Sequence, residues 1–255
     1  MGHQHAAQIA YDGLPFLGWQ KSGDGPSVEE ALEKISYQIF QEPISFRAAS
    51  RTDKGVHALS QIVDFTTTKP ITDYHGFIIS LNSLLPEEIR CLSASPAPEN
   101  FHPTLSALNK TYRYSISTGP VQSPLCRHTH WHVHHPLDMT FFKEAAALFE
   151  GTLDFRGLCN YRHGLNEKRT VCNVHNITIK ESENEILVTL KADRFLYKMA
   201  RNIVGSMVWV ARGKIPLSSI TSALQSRKRS EAGVTAPAHG LCLVDISYAK
   251  PLFVI

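Results

Sequence analysis

The chain has 255 residues, 43% hydrophobic and 19% charged, with a formal net charge of +3. That length buries a core as one large domain or two modest ones, and the composition excludes disorder, collagen and a disulfide scaffold. A mildly basic balance permits a nucleic-acid partner without demanding one.

Residues 7–11 read as a first strand ending in the turn Tyr11-Asp12-Gly13, where Asp12 is a turn residue. Ser27-Val28-Glu29-Glu30 is a capping box ahead of a helix whose apolar face holds Val28, Ala31, Leu32, Ile35, Ile39 and Phe40. Residues 61–67 alternate like a strand, 74–83 form a short helix that stops before Pro86, and 89–95 are a strand again. Pro96, Pro98 and Pro103 mark the boundary between a domain at 1–105 and a second at 106–255. The second domain opens with a strand at 110–118, and Asp138 caps a helix that runs to Glu150 and stops at Gly151. Residues 173–180 and 185–193 form a hairpin, a long helix covers 195–212, a shorter one lies near 217–226, and 241–248 is a closing strand.

The five cysteines are scattered, form no C-x-x-C pair, and read as reduced thiols. The most apolar run, 203–211, is too short to span a bilayer, and no signal or transit pattern opens the chain. The expectation is a cytoplasmic protein with no membrane partner.

Five segments concentrate chemistry. The loop FRAASRTDKGVHA at 46–58 sets one carboxylate, Asp53, among Arg51, Lys54 and His57. Basic neighbours hold a carboxylate ionised, and such a loop can present it to a polyanion. In the long apolar helix Lys198, Arg201, Asn202 and Gly205 share a face, which reads either as solvated or as a close-approach surface. An arginine there needs an anionic partner, carboxylate or phosphate. Arg156, Arg162, His163, Lys168 and Arg169 are interleaved with Phe155 and Tyr161, a composition suited to phosphate neutralisation and base stacking or to a solvated loop. Arg227-Lys228-Arg229 repeats that pattern more weakly. The run HTHWHVHHP at 128–136 invites a metal reading, but no cysteine or carboxylate stands beside it in sequence, so no metal is expected.

Together these residues resemble TruA-type tRNA pseudouridine synthases. Arg51-Thr52-Asp53-Lys54-Gly55-Val56-His57 is similar to the family signature G-R-T-D-x-G-V-H. Tyr11-Asp12-Gly13 through Gly18-Trp19-Gln20 resembles its opening motif, and Leu81-Asn82 with Leu85-Pro86 its L-N-x-x-L-P. Phe101-His102 and Lys110-Thr111-Tyr112-Arg113-Tyr114 follow its F-H and K-x-Y-x-Y. Phe195, Met199, Arg201-Asn202 and Val204-Gly205 follow its F-x-x-x-M-x-R-N-x-V-G helix. Ala232-Gly233, Thr235-Ala236-Pro237-Ala238 and Gly240-Leu241 follow its C-terminal motif. Two positions depart: Ser50 stands where the family usually has glycine, and Pro103-Thr104 where it typically continues Ala-Arg.

The resemblance implies an α+β pseudouridine synthase fold of two similar domains with antiparallel sheets flanked by helices, and a basic active-site cleft between them. It implies an isomerase of tRNA uridines in the anticodon stem-loop, working as a homodimer without cofactor. Asp53 would be the nucleophile or base, Arg201 its partner, and Tyr112 the ring that stacks on a flipped-out uridine. Arg51, His57, Phe101, His102, Lys110, Arg162, Lys168 and Arg169 are the further expected RNA contacts. The rival readings are a non-catalytic RNA-binding protein on the same fold and a metal-dependent hydrolase resting on the histidine run.

Overall fold

The computed structural model describes residues 2–160 and 169–253. It divides into two units, Met1–Leu108 with Cys242–Ile255, and Asn109–Leu241.

The first unit contains β1 (His3–Tyr11), α1 (Val28–Phe40), β2 (Arg47–Ala48), β3 (His57–Thr67), α2 (Tyr74–Leu84) and β4 (Ile89–Pro96). Its sheet runs β4–β1–β3, with antiparallel ladders such as Ala7 to Val63 and Ala7 to Ala94. The Ser27 hydroxyl accepts the Glu30 N–H at 3.2 Å and so starts α1. The Asp73 carboxylate does the same for α2, accepting from Gly76 at 2.9 Å. Between helices and sheet Phe40, Phe46, Phe65 and Phe77 cluster at centroid distances of 5.0 to 6.3 Å. Val28, Leu32, Ile9 and Val63 are fully buried around them.

The second unit contains β5 (Ala107–Ser117), β6 (Trp131–His132), α3 (Met139–Ala147), β7 (Gly151–Asp154), β8 (Val171–Ser182), β9 (Glu185–Ala192), α4 (Met199–Ala211) and α5 (Ser218–Ser226). Its sheet order is β5–β9–β8–β7. The hairpin β8–β9 closes at Ser182 and Glu185, and Tyr112 of β5 pairs with Leu190 of β9. Asp138 caps α3, accepting from Thr140 at 2.9 Å and Phe141 at 3.2 Å.

Three expectations are corrected. The closing strand, β10 (Leu241–Tyr248), joins the first unit, not the second, by pairing Cys242 with His57 and Leu243 with Ala58. That ladder is parallel, as is the short pairing of β5 with β6, so the sheets are mixed rather than purely antiparallel. The long helix starts at Met199 instead of residue 195, because Lys198 takes a left-handed conformation (φ 61°) at the N-cap. The freed residues turn Phe195 onto Tyr112, ring edge to ring face at 5.0 Å.

Candidate active site

Asp53 is half-buried, between exposed Arg51 and exposed Lys54. Its backbone is held by a succession of contacts that begins at α1. The first N–H groups of any helix lack intrahelical acceptors. In α1 Val28 donates to Gly18 C=O at 3.3 Å and Glu29 to Trp19 C=O at 3.0 Å, which ties residues 18 and 19 to the helix end. Trp19 in turn donates to Thr52 C=O at 3.1 Å, and Gly18 bridges to Asp53. Gly18 sits at φ +113°, and a Cβ there would lie 2.7 Å from Thr52 O, so only glycine permits the approach. A turn closes beyond the acid, Val56 N–H donating to Asp53 C=O at 3.1 Å.

Buried polar side chains hold the other flank. The Tyr11 hydroxyl lies 2.7 Å from Thr52 Oγ1, and Gln61, fully buried in β3, bonds both backbone groups of Ser50. Ser50 is not among the residues with a left-handed backbone, so a side chain where the family usually has glycine meets no φ strain. His57 Nδ1 lies 3.2 Å from the Gly13 amide and 3.1 Å from Asp12 Oδ1, which ties this buried ring to the turn after β1.

Phe101 points into the core, whereas His102 bonds its own exposed turn. Phe101 is buried against Tyr248 at 5.4 Å. His102 Nδ1 accepts the N–H groups of Thr104 and Leu105 at 3.2 and 3.3 Å. Thr104, at the position of the family's arginine, is exposed and donates its hydroxyl to Ala48 C=O at 3.0 Å.

In the second unit Lys110, Tyr112 and Tyr114 alternate on the buried face of β5. Burial pushes the Lys110 ammonium down to about 8, against the opposing pull of Asp193. Burial drives the Tyr114 phenol well up, and its hydroxyl donates to Pro237 C=O at 2.7 Å. Arg201, in the first turn of α4, donates Nε–H to Ala236 C=O at 2.8 Å and accepts the Ala236 N–H on its own carbonyl at 3.1 Å. These two bonds lay residues 233–236 along α4. The mid-helix glycine is explained by that contact: a Cβ on Gly205 would lie 1.8 Å from Val234 O.

The part of the expected polar face at Asn202 and Gly205 is therefore not solvated, whereas Lys198 and Arg201 stay half-exposed. Asn202 is fully buried; its amide donates to Leu158 C=O at 2.8 Å and to Asn160 Oδ1 at 2.9 Å. Its carbonyl oxygen accepts from Arg229 at 2.9 Å and from Thr235 at 2.6 Å. Arg229 is thus turned inward, while Arg227 pairs with Asp154 at 2.8 Å. Arg169 is exposed, its carbonyl held by Arg194 at 2.8 Å. Arg162, His163, Lys168 and Tyr161 lie outside the described residues.

The rings of His132, His134 and His135 lie in series, at 5.9 and 4.0 Å between centroids. His130 Nε2 lies 2.7 Å from Glu185 Oε1 and His132 Nε2 lies 2.9 Å from Gly119 O, while the His134 ring stacks on His135 at 4.0 Å. Among the described residues no three metal-ligating side chains are gathered, and no helix is long and apolar enough to cross a membrane.

Sequence signals for several supporting residues were absent. Gln61 and Asn202 look like ordinary polar positions on a strand and a helix, and their partners are remote in sequence. Tyr11 and Thr52 were visible as motif residues, but not as a bonded pair.

A model of the family described as tRNA pseudouridine synthase matches residues 145–249. The tRNA pseudouridine synthase A 2 of Protochlamydia amoebophila (strain UWE25) is 46% identical over 242 residues, covering 94% of this chain and 92% of that protein. The same organism's tRNA pseudouridine synthase A 1 is 34% identical, covering 96% of each chain. That of Syntrophotalea carbinolica (strain DSM 2380 / NBRC 103641 / GraBd1) is 36% identical, covering 94% of each. Among solved structures, a chain of a Cbf5-Nop10-Gar1 complex overlays at a TM-score of 0.40 and 12% identity, covering 80% of this chain and 44% of that one. With relatives this similar over nearly its whole length, the chain belongs to the tRNA pseudouridine synthase A family.

Proposed function

We propose that the protein isomerises a uridine of the tRNA anticodon stem-loop to pseudouridine, with Asp53 as the reacting carboxylate. The N1–C1′ bond breaks, the base turns over, and C5 bonds to C1′; the proton lost from C5 is balanced by one gained at N1. No oxidant, reductant or energy source enters. The carboxylate either attacks the sugar carbon as a nucleophile or removes a sugar proton to give a glycal, and both routes need it ionised.

The observation that carries this reading is the build of the Asp53 loop. A half-buried carboxylate flanked by exposed Arg51 and Lys54 stands on a backbone tied to Trp19, Gly18 and Gln61. A fixed acid amid cations suits approach to an anionic polymer, because the cations offset repulsion from phosphate while the scaffold sets the aim. Tyr112, packed edge to face on Phe195, offers a ring for the extruded base, and Arg201, its Nε committed to Ala236, supplies a cation for the reaction. Arg51, Arg162, Lys168 and Arg169 neutralise the RNA backbone. Two copies of the chain share one tRNA.

The test uses an unmodified tRNA transcript and a second one with every anticodon stem-loop uridine replaced by cytidine. Purified protein should form pseudouridine in the first and none in the second. Product at other positions, or in both transcripts, would overturn the assignment.

A further inference from the structure

The antiparallel ladder of β2 with β3 pairs Arg47 with Asp64 and Ala48 with Val63. One residue on, the Ala49 N–H still donates to Ile62 C=O at 2.8 Å. The next pair in that register is Ser50 with Gln61, and there the backbones part. The Gln61 side chain takes the place of the ladder: Oε1 accepts the Ser50 N–H at 3.1 Å, and Nε2 donates to Ser50 C=O. An amide side chain carries the same donor and acceptor pair as a peptide group, so it extends the sheet sideways by its own length. The chain running toward Asp53 therefore leaves the sheet at a fixed offset without orphaning a buried peptide.

Gln61 Nε2 also lies 3.4 Å from the Tyr11 hydroxyl, which is 2.7 Å from Thr52 Oγ1. Gln61 is 0% exposed, Tyr11 5% and Thr52 7%. The residue next to Asp53 and the one three before it are thus held by one buried network from β1 and β3.

We infer that Gln61 and Tyr11 are positioning residues for the reaction, setting the Asp53 carboxylate against the sugar through Ser50 and Thr52. This rests on Asp53 being the reacting carboxylate. Neither side chain touches substrate; their length and bonding decide where the acid stands. Misplacing a reacting group by about 1 Å can cost on the order of a hundredfold in rate, and shortening the amide by one methylene moves the loop by about that much.

The experiment measures kcat, tRNA affinity and thermal unfolding for Gln61→Asn, Gln61→Met, Tyr11→Phe, Thr52→Val and the Tyr11→Phe/Thr52→Val pair, beside Asp53→Asn. Gln61→Asn keeps an amide but has the wrong reach. It should lower kcat by roughly tenfold to a hundredfold while tRNA Kd stays within about twofold, and Gln61→Met should do the same. Tyr11→Phe and Thr52→Val should each lower kcat by roughly threefold to tenfold, and the double variant no further than either single. Wild-type kcat in the Gln61 variants overturns the inference, as does a loss of rate matched by the loss of tRNA affinity. If the Gln61 variants fail to fold, the Tyr11 and Thr52 cycle decides: additive losses, or none, overturn it. Wild-type product from Asp53→Asn would instead remove the reading of Asp53 itself, whereas an inactive Asp53→Asn beside normal Gln61 and Tyr11 variants sinks the positioning claim alone.

Discussion

The loop that carries Asp53 and the helix that carries Arg201 are both built on close backbone approach through a glycine, but they are secured differently. Gly18 lets residues 52 and 53 come near, and the loop is then fixed by bonds from Trp19, Tyr11 and Gln61. Gly205 lets residues 233–236 lie on α4, and that contact is continuous with Asn202, which bonds Leu158, Asn160, Arg229 and Thr235. The loop is an appendage aimed by its supports, whereas the helix face is part of the core. The lesson is that similar glycines should fail in different ways: one through rate, the other through folding.

Gly205→Ala should produce the largest effect on stability. With Val234 O 1.8 Å from the new Cβ, backbone must move, and a cost of about 3 kcal/mol or more is expected. Chemical denaturation measures it, and a variant of wild-type stability would show that residues 233–236 are not pressed against the helix.

Gly18→Ala sharpens the contrast. A side chain at φ +113°, crowding Thr52 O, should cost about 2 kcal/mol of stability. In the fully folded variant kcat should fall tenfold or more, because displacing Thr52 displaces Asp53. Activity lost only in proportion to unfolded protein would put the loop in the same class as the helix.

A further effect concerns pH. Lys110 is pushed down to about 8 in the folded chain, whereas an unfolded lysine titrates near 10.5. Between those values the unfolded state binds more protons, so this group makes stability rise with pH from about 8 to 10.5. Lys110→Met should lack that increment when melting temperatures are compared across the window. An identical pH dependence in both proteins would mean Lys110 keeps its ordinary titration.

Much of this was legible in the sequence. Ser27 and Asp138 announced their helices because capping needs only local residues. The Asp53 loop was legible because its motif is contiguous. What was not legible depended on distant partners. Gln61 reads from sequence as the start of an alternating strand, but it lies within β3 among continuously buried residues, its amide bonded to Ser50. Asn202 shares a helical face with Lys198 and Arg201, yet is sealed by residues as remote as Leu158 and Thr235. The strand at 241–248 was recognisable, but its place in the first unit is set by pairing with His57 and Ala58. The helix start was missed because the left-handed Lys198 has no sequence signature, lysine being an ordinary helix former.

The account stands most directly on one substitution. Asp53→Asn is nearly isosteric, leaves every backbone bond of the loop in place, and removes only the carboxylate. Each purified protein is incubated with unmodified tRNA, and pseudouridine is quantified alongside tRNA affinity. The expected result is no pseudouridine with affinity equal to or tighter than wild type, since one repulsion from phosphate is gone. Near wild-type product from Asp53→Asn would contradict the account and place the reacting group elsewhere.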